Sequence, residues 1–390
     1  MINILRKEDC VGCNACVQIC PKNCISFDAD EQGFHYPLVD LNLCINCGLC
    51  EKVCPVINQD EPKKPYKTYA AINPDHRVRH DSSSGGVFHA LATKIITEGG
   101  VVFGARFNEE WNVMHDSADT RIGIKPFLKS KYVQSQIGNT YRQTEDYLKS
   151  GKKVLFSGTP CQIAGLHKFL RKDYGDLLIT IDTACHGVPS PFIWQLYLKY
   201  IAHQENFSTS DIRKIDFRDK RNGWETYGMN ILFKNSTYEK DWFSSMKKNV
   251  YMQGFIKNLY LRPSCYACPT KCGKALSDIT LADFWGIRNI HPELYSDKGV
   301  SLILANTQKG DTLLASLMLK LDSVAYEEVV TCNPALIKSA LRSNYYDRFW
   351  RYYSNNGKKI FVYITKLTKP SLFSKANRKI LYLIKQIINF

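Results

Sequence analysis

The sequence predicts a mixed fold of the α+β and α/β classes, in which a small cysteine-rich domain precedes a larger α/β domain and a basic helical tail. Two observations predict this division. Nine of the fifteen cysteines lie before residue 55, and residues 59–66 then carry two prolines and two lysines. Strand-like and helix-like segments follow over much of the remaining chain. We therefore predict a first domain at 1–58, a linker at 59–67, a second domain at 68–315 and a C-terminal region at 316–390.

The composition indicates an ordinary folded protein with a cytoplasmic location. Of the 390 residues, 44% are apolar and 23% are charged, which excludes a wholly disordered or collagen-like chain. No run approaches the roughly 18 to 20 consecutive apolar residues that cross a bilayer, and charged residues come too early for a signal-peptide core. Fifteen cysteines in such a chain indicate metal binding and not a disulfide framework.

The cysteines of the first domain form two copies of one pattern. The copies begin at Cys10 and, 34 positions later, at Cys44, and each ends in a Cys-Pro pair. In bacterial ferredoxins this run supplies three thiolates to one 4Fe-4S cluster and its fourth thiolate to the other cluster. The spacing assigns Cys10, Cys13, Cys16 and Cys54 to what we call the first cluster, and Cys44, Cys47, Cys50 and Cys20 to the second cluster.

Two clusters of this kind carry single electrons, so the first domain is predicted to conduct electrons without acting on a substrate. Structural zinc is the alternative, but a tetrahedral zinc site usually takes two cysteine pairs from separate loops. Cys24 lies outside both runs, and we expect it to be a small buried side chain.

The second domain shows helix and strand patterns in alternation. A Ser-Gly run at 82–86 precedes an apolar helical face of Val87, Leu91 and Ile95, and a strand is predicted from Val101. A further strand at 154–156 leads through a tight turn into a helix with Thr159 as its N-cap and Pro160 as its first residue. Strands are also predicted at 177–181 and near 279–281, and a helix at 191–201.

Five short motifs of the second domain occur in a fixed order. They are SSGGVF at 83–88, GTPCQ at 158–162, CHGVP at 185–189, RPSCYAC at 262–268 and SDITLADFWG at 277–286. Together they resemble the coenzyme F420 hydrogenase/dehydrogenase β-subunit family over about residues 68–310, and the cysteine-rich segment matches members that carry such a domain at the N-terminus. The last 75 or so residues are not covered by the resemblance.

The resemblance implies an α/β domain that binds FAD and exchanges electrons between clusters and a hydride-carrying substrate. A flavin is the usual converter between one-electron and hydride chemistry, and a Ser-Gly run before a helix can offer N–H groups to a pyrophosphate. Helix capping alone would also explain that run. The cofactor-binding residues implied are Ser82, Ser83, Ser84, Gly85, Gly86, Lys131, Tyr132, Gly158, Thr159 and Pro160.

The resemblance also implies a third 4Fe-4S cluster, bound by Cys161, Cys185, Cys265 and Cys268. Spacing alone leaves two alternatives open, because Cys272 could complete the set or join the last pair in a zinc knuckle. His186, next to Cys185, is the candidate catalytic proton donor.

Two functions fit these features. In the first, the chain is an iron-sulfur flavoenzyme that passes electrons between ferredoxin, or another redox protein, and a small-molecule hydride substrate. An F420-like deazaflavin is one such substrate, and a metabolite is another, with surface-polysaccharide metabolism as one setting implied by relatives. In the second, the chain is a non-catalytic electron-transfer subunit that serves a partner enzyme.

Most of the net charge of +15 lies at the C-terminal end, since residues 348–390 contain ten Lys or Arg and no Asp or Glu. Apolar residues at helical spacing in 375–390 predict a basic amphipathic helix that packs on its own domain or a partner, or lies on an anionic membrane surface. No DNA- or RNA-binding module accompanies this charge, so we predict no nucleic-acid partner.

Overall fold

A computed structural model describes residues 1–368. The strands are β1 (Ile25–Ala29), β2 (His35–Val39), β3 (Lys67–Ile72), β4 (Val101–Phe107), β5 (Val113–Ala118), β6 (Val154–Ser157), β7 (Leu178–Thr183), β8 (Ile212–Asp219), β9 (Gly228–Lys234), β10 (Glu239–Ser245), β11 (Ile279–Asp283), β12 (Ser301–Ala305) and β13 (Lys320–Ser323).

The α-helices of the same residues are α1 (Ala15–Ile19), α2 (Leu49–Lys52), α3 (His76–His80), α4 (Val87–Thr97), α5 (Thr140–Lys149), α6 (Pro160–Leu170), α7 (Pro191–Gln204), α8 (Val250–Ile256), α9 (Ile287–Ile290), α10 (Gln308–Ala315), α11 (Tyr326–Cys332), α12 (Tyr346–Asn356) and α13 (Ile360–Thr368). The predicted fold class, with a small cysteine-rich part ahead of a mixed α/β part, is confirmed.

The cysteine-rich part repeats its backbone conformation as well as its sequence. Gly12 and Asn46 both have positive φ values, 72° and 55°, and so do Asn14 and Gly48, at 64° and 71°. The members of each pair, Gly12 with Asn46 and Asn14 with Gly48, are 34 residues apart. All four positions lie between the cysteines of their run. Glycine and asparagine tolerate this left-handed conformation better than other residues, which lets each loop turn its thiols toward one point.

The α/β part is built on an eight-stranded sheet with the order β13-β3-β12-β11-β7-β6-β4-β5. The central strands β4, β6, β7 and β11 run parallel, while the outer strands on both sides pair antiparallel. Helices α5 and α6 pack on one face, and α4 and α10 on the other. Because both faces are covered, the parallel strands are apolar on both sides, as their short apolar runs predict.

A second, three-stranded antiparallel sheet of order β10-β9-β8 lies beside the first. It forms the largest apolar cluster together with α7, α8, α12 and α13, and Trp194, Phe217 and Tyr251 pack ring against ring at its centre. Helix α7 was predicted from the sequence, whereas this sheet and the strands β3, β12 and β13 were not. Strand β13 lies beyond residue 315 and joins the main sheet through β3. The domain boundaries proposed at 59–67 and 315 stay predictions.

The cysteine-rich part packs directly against helix α6. A Cβ atom added to Gly165 of α6 would lie 2.8 Å from the Cβ and 3.0 Å from the Sγ of Cys13. It would also lie 3.0 Å from the hydroxyl of Tyr141, which donates to the carbonyl oxygen of Gln162. The glycine therefore permits a contact that a larger residue would prevent.

The chain ends, as far as it is described, in α13. The amphipathic helix predicted for 375–390, with its proposed membrane contact, lies outside the described residues. Within residues 1–368, no helix is both long enough and apolar enough to span a bilayer.

We expect Gly165→Ala to lower the free energy of unfolding by about 1–3 kcal/mol, because overpacking displaces the Cys13 loop. In a helix interior the same substitution ordinarily stabilises by roughly 0.5–1 kcal/mol, so the sign of the change is diagnostic. Urea unfolding of anaerobically purified protein measures it. A variant as stable as the original chain would show that a methyl group at position 165 fits without displacing the Cys13 loop.

Candidate functional site

The four thiols assigned to the second cluster line one small cavity. Cys20, Cys44, Cys47 and Cys50 all face it, together with apolar side chains from β1 and β2. Cys47 is exposed whereas Cys20 and Cys50 are buried, so this site reaches the molecular surface. Cys24 is buried, as predicted, but its Sγ lies 3.4 Å from that of Cys20 and it lines the same cavity.

The thiols assigned to the first cluster also lie together, farther from the surface. Burial raises the pKa of Cys13 well above its usual value, and charges on Cys16, Cys54 and Cys10 raise it further. Burial likewise raises the pKa of Cys16, with contributions from Cys10 and Cys54. The raised pKa values keep these thiols neutral in the absence of metal, and four thiols held near one another are the donor set of a 4Fe-4S cluster.

Four thiols of the α/β part form a third group. Burial raises the pKa of Cys265 well above its usual value, and charges on Cys185, Cys268 and Cys161 add to this effect. Cys272 faces elsewhere, since its Sγ lies 3.5 Å from the carbonyl oxygen of Ile337. The mutual charge effects show that Cys161, Cys185 and Cys268 lie near Cys265, and their assignment as ligands of a third cluster stays a prediction.

A cleft of about 800 Å³ opens at the carboxyl ends of the parallel strands. This edge is where ligands bind in open α/β sheets, and the volume lies in the range of small-molecule sites. Of the ten residues predicted to bind a flavin, eight line it, and Gly85 and Pro160 do not; the eight are Ser82, Ser83, Ser84, Gly86, Lys131, Tyr132, Gly158 and Thr159. His186 and the predicted cluster ligand Cys185 line it too, whereas the other three predicted ligands, Cys161, Cys265 and Cys268, do not.

The serine hydroxyls of the Ser-Gly run bond to backbone groups of the protein and hold the loop in place. Ser82 and Ser84 donate to the carbonyl oxygens of Val78 and Val300, and Ser83 accepts from the N–H of Ser130. Gly85 has no room for a side chain, because an added Cβ would lie 2.3 Å from the carbonyl oxygen of Ala71. The loop thus presents the start of α4, whose first N–H groups lack intrahelical partners, to the cleft.

Lys131 places a cationic side chain at the wall of the cleft. Its Nζ donates to the carbonyl oxygens of Leu128 and Lys129 at 3.0 and 3.1 Å. Burial lowers the pKa of Lys131 to about 7, although the charge of Asp216 opposes this effect. An anionic group in the cleft would favour the charged form of this lysine.

Arg218, which sequence reasoning missed, connects the two sheets at the cleft. Its guanidinium forms a bidentate ion pair with Asp283, with both distances at 2.8 Å. It also donates to the carbonyl oxygen of Ser83 and the hydroxyl of Tyr132, and it lies 3.9 Å from the ring centre of Tyr227. Arg218 therefore positions two of the predicted flavin-binding residues.

His115 was also missed, because an isolated histidine carries no pattern. Its Nε2 lies 2.9 Å from the carbonyl oxygen of Ser157 and its Nδ1 lies 3.0 Å from the hydroxyl of Ser135. Burial lowers the pKa of His115 to about 4, so the ring is neutral at physiological pH. The predicted proton donor, His186, lies elsewhere in the cleft wall, with its Nε2 2.6 Å from the Oδ1 of Asn258.

Two family profiles match the two parts of the chain. The profile for the C-terminal part of the coenzyme F420 hydrogenase/dehydrogenase β-subunit matches residues 151–327, and that of the 4Fe-4S dicluster domain matches residues 9–58. Residues 151–327 thus form a domain of the type found at the C terminus of the coenzyme F420 hydrogenase/dehydrogenase β-subunit family. The N-terminal part of the chain is a dicluster domain, which confirms the prediction of two 4Fe-4S clusters there.

Individual relatives support the same division. An uncharacterized ferredoxin of Methanocaldococcus jannaschii is 37% identical over 65 residues, which are 16% of this chain and 83% of that protein. One of the subunits of the F420H2 dehydrogenase of Methanosarcina mazei is 21% identical over 194 residues, which are 46% of this chain and 53% of that protein. The chain thus spans about half the length of this relative.

A solved structure also matches a large share of the chain. It belongs to the F420-reducing NiFe hydrogenase complex from Methanosarcina barkeri, with 16% sequence identity and a TM-score of 0.47 over 74% of this chain and 99% of that one.

We expect Cys161→Ser to remove about four iron atoms per chain, because it takes one ligand from the third cluster. Cys272→Ser is the matched control and should leave the iron content and the EPR spectrum of the reduced protein unchanged. Iron analysis of both variants after anaerobic purification makes the comparison. Loss of iron from the Cys272 variant alone would mean that Cys272, and not Cys161, is the ligand of the third cluster.

We expect Arg218→Met to lower the free energy of unfolding by about 3–5 kcal/mol, since it leaves the Asp283 carboxylate without its partner in the protein interior. The control is Arg221→Met, which breaks exposed pairs with Asp219 and Asp241 and should cost about 1 kcal/mol or less. Chemical unfolding measures both. Equal costs would mean that the buried pair stabilises no more than a surface pair.

Proposed function

We propose that the chain is an iron-sulfur flavoprotein oxidoreductase that holds FAD in the cleft and a third 4Fe-4S cluster in the cleft wall. It passes electrons between ferredoxin, or another redox protein, and an organic hydride donor or acceptor. FAD supplies the conversion between single electrons and a hydride. The chain's own residues bind it, orient it and place the third cluster beside it.

The observation that carries this proposal is that one cleft joins the two predicted sites. Cys185, a proposed ligand of the third cluster, lines the same space as Ser83, Lys131 and Tyr132. Thr159 also lines it, and its hydroxyl lies 3.2 Å from the Sγ of the neighbouring Cys161. A cofactor in the cleft would therefore lie next to the third cluster.

The remaining thiols supply a route from the surface to this cleft. Cys47 of the second cluster is exposed, and the first cluster lies between it and helix α6. Cys13 touches α6 at Gly165, and Cys161 is four residues earlier in that helix, a rise of about 6 Å. Tyr141 lies near both, since burial raises its pKa and charges on Cys13 and Cys161 both contribute.

The cleft residues fit an anionic cofactor and a planar ring. The start of α4 and the Lys131 ammonium favour negative charge, and Tyr132 and Tyr227 offer aromatic surfaces around Arg218. The substrate class we propose is an F420-like deazaflavin, because the dehydrogenase of Methanosarcina mazei that contains a relative is named for that coenzyme. A sugar-related metabolite is a less supported choice.

We expect anaerobically purified protein to contain about one FAD per chain, released by acid and measured by fluorescence. Lys131→Met should weaken FAD binding at least tenfold, because it removes a cation from the wall of the cleft. Lys125→Met, an exposed lysine of the same segment, is the matched control and should bind FAD normally.

The competing outcome is a chain that neither retains nor rebinds FAD although its clusters are intact. That result would favour an electron-transfer subunit whose chemistry takes place in a partner enzyme. Reduction of added F420 or its analogues by dithionite-reduced protein separates the substrate question from the cofactor question.

A further inference from the structure

Arg262 is a buried arginine that reaches from the α/β part into the dicluster domain. Only 1% of its surface is exposed. Its Nε donates to the carbonyl oxygen of Cys10 at 2.8 Å and its Nη2 to that of His35 at 2.9 Å. Nη1 donates to the Oε1 of Gln134 at 3.1 Å, and Nη2 lies 3.4 Å from the Sγ of Cys10. A sulfur of the first cluster thus receives a charge-assisted hydrogen bond.

No carboxylate neutralises this cation. Among residues 1–368, Arg262 forms no ion pair with Asp or Glu, whereas the other fully buried arginine, Arg218, pairs with Asp283. The rings of Tyr36 and Phe34 lie 4.4 and 5.5 Å from its guanidinium carbon, and they compensate only part of a full charge. A buried charge without a counterion is costly. The missing negative charge is one that thiolate-bound iron would supply.

The loop of the first cluster is shaped around this guanidinium. A Cβ atom added to Gly12 would lie 2.8 Å from the Nη1 and 2.9 Å from the Cζ of Arg262. The position 34 residues later, Asn46, carries a side chain, and the second-cluster cavity is lined by one exposed lysine, Lys22, and by no arginine. The duplication in the sequence is therefore broken at this contact, which leaves the two clusters in different electrostatic environments.

We propose that Arg262 raises the reduction potential of the first cluster, through its positive charge and its hydrogen bond to the Cys10 sulfur. Reduction adds one electron, and hence one negative charge, to the cluster, while no bond forms or breaks and no proton is needed. A cation at the sulfur stabilises the more negative state, and hydrogen bonds to cluster sulfurs act in the same direction. Arg262 is thus a positioning and tuning residue. The inference requires the first cluster but neither FAD nor a substrate.

The consequence is an uneven sequence of electron carriers. The first cluster lies between the exposed second cluster and helix α6. If its reduction potential is raised, an electron on this route occupies the first cluster in preference to the second. Arg262 also precedes Cys265 by three residues, which links the ligand loop of the third cluster to the first cluster through one side chain.

The test is a redox titration of the anaerobically purified full chain, with dithionite as reductant and EPR as the readout. In Arg262→Gln, one reduction step should shift to lower potential, with at least a tenfold smaller equilibrium constant, which corresponds to about 59 mV for one electron. The other steps should stay in place. Repeating the titration in a Cys161→Ser background removes the third cluster and shows that the shifted step belongs to the dicluster domain.

Arg142→Gln is the matched control, because Arg142 donates to the carbonyl oxygens of Gln18 and Cys20 at the same interface and, within residues 1–368, to no thiol. It should leave the step that Arg262→Gln shifts in place. If Arg262→Gln fails to assemble its clusters, Arg262→Lys retains the charge but loses the fork geometry, and it should shift the same step by a smaller factor.

Two results would overturn the inference. One is a full set of reduction steps at unchanged potentials in either Arg262 variant, and the other is an equal shift of every step. A titration of the original chain that lacks one of the two dicluster steps would instead overturn the cluster assignment on which the inference rests. Neither reading depends on whether the protein retains flavin.

Discussion

The close contact between helix α6 and the Cys13 loop is the constraint on which the arrangement of redox sites depends. Gly165 allows the loop to touch the helix, and four residues away the same helix carries Cys161. An α-helix is stiff over this length, so the distance between the first and third thiol groups is fixed by helix geometry. The turn that begins α6 also forms part of the cleft. This one helix therefore fixes how far the first thiol group, the third thiol group and the cleft lie from one another.

Buried charge is handled in two ways in this molecule, and the difference separates structure from redox function. Arg218 is compensated by Asp283 and stabilises the corner where the two sheets and the Ser-Gly loop meet. Arg262 has no carboxylate among the described residues and faces a thiol instead. A protein retains an uncompensated buried cation only where something else supplies the negative charge. The position of each arginine therefore indicates what lies next to it.

The parts of the fold that could be predicted from sequence are those with local signals. Cysteine spacing gave both thiol groups of the dicluster domain, and apolar periodicity with Pro160 and Thr159 gave helix α6. The three-stranded sheet escaped prediction, because β10 is polar and its pairing with β9 depends on contacts distant from its own sequence. Arg218 and His115 escaped for a related reason, since a single residue carries no periodicity and its role arises only from its neighbours.

The sequence by itself determined that this chain carries two clusters, because thiolate ligation requires fixed spacings along a short loop. It also determined the parallel core, because strands covered on both faces must be apolar. Only the tertiary structure decided which cluster site is exposed and which of the two duplicated loops receives the buried Arg262 guanidinium. Those features join residues up to about 250 positions apart, such as Cys10 and Arg262, and long-range contacts of this kind leave no spacing to read in the chain.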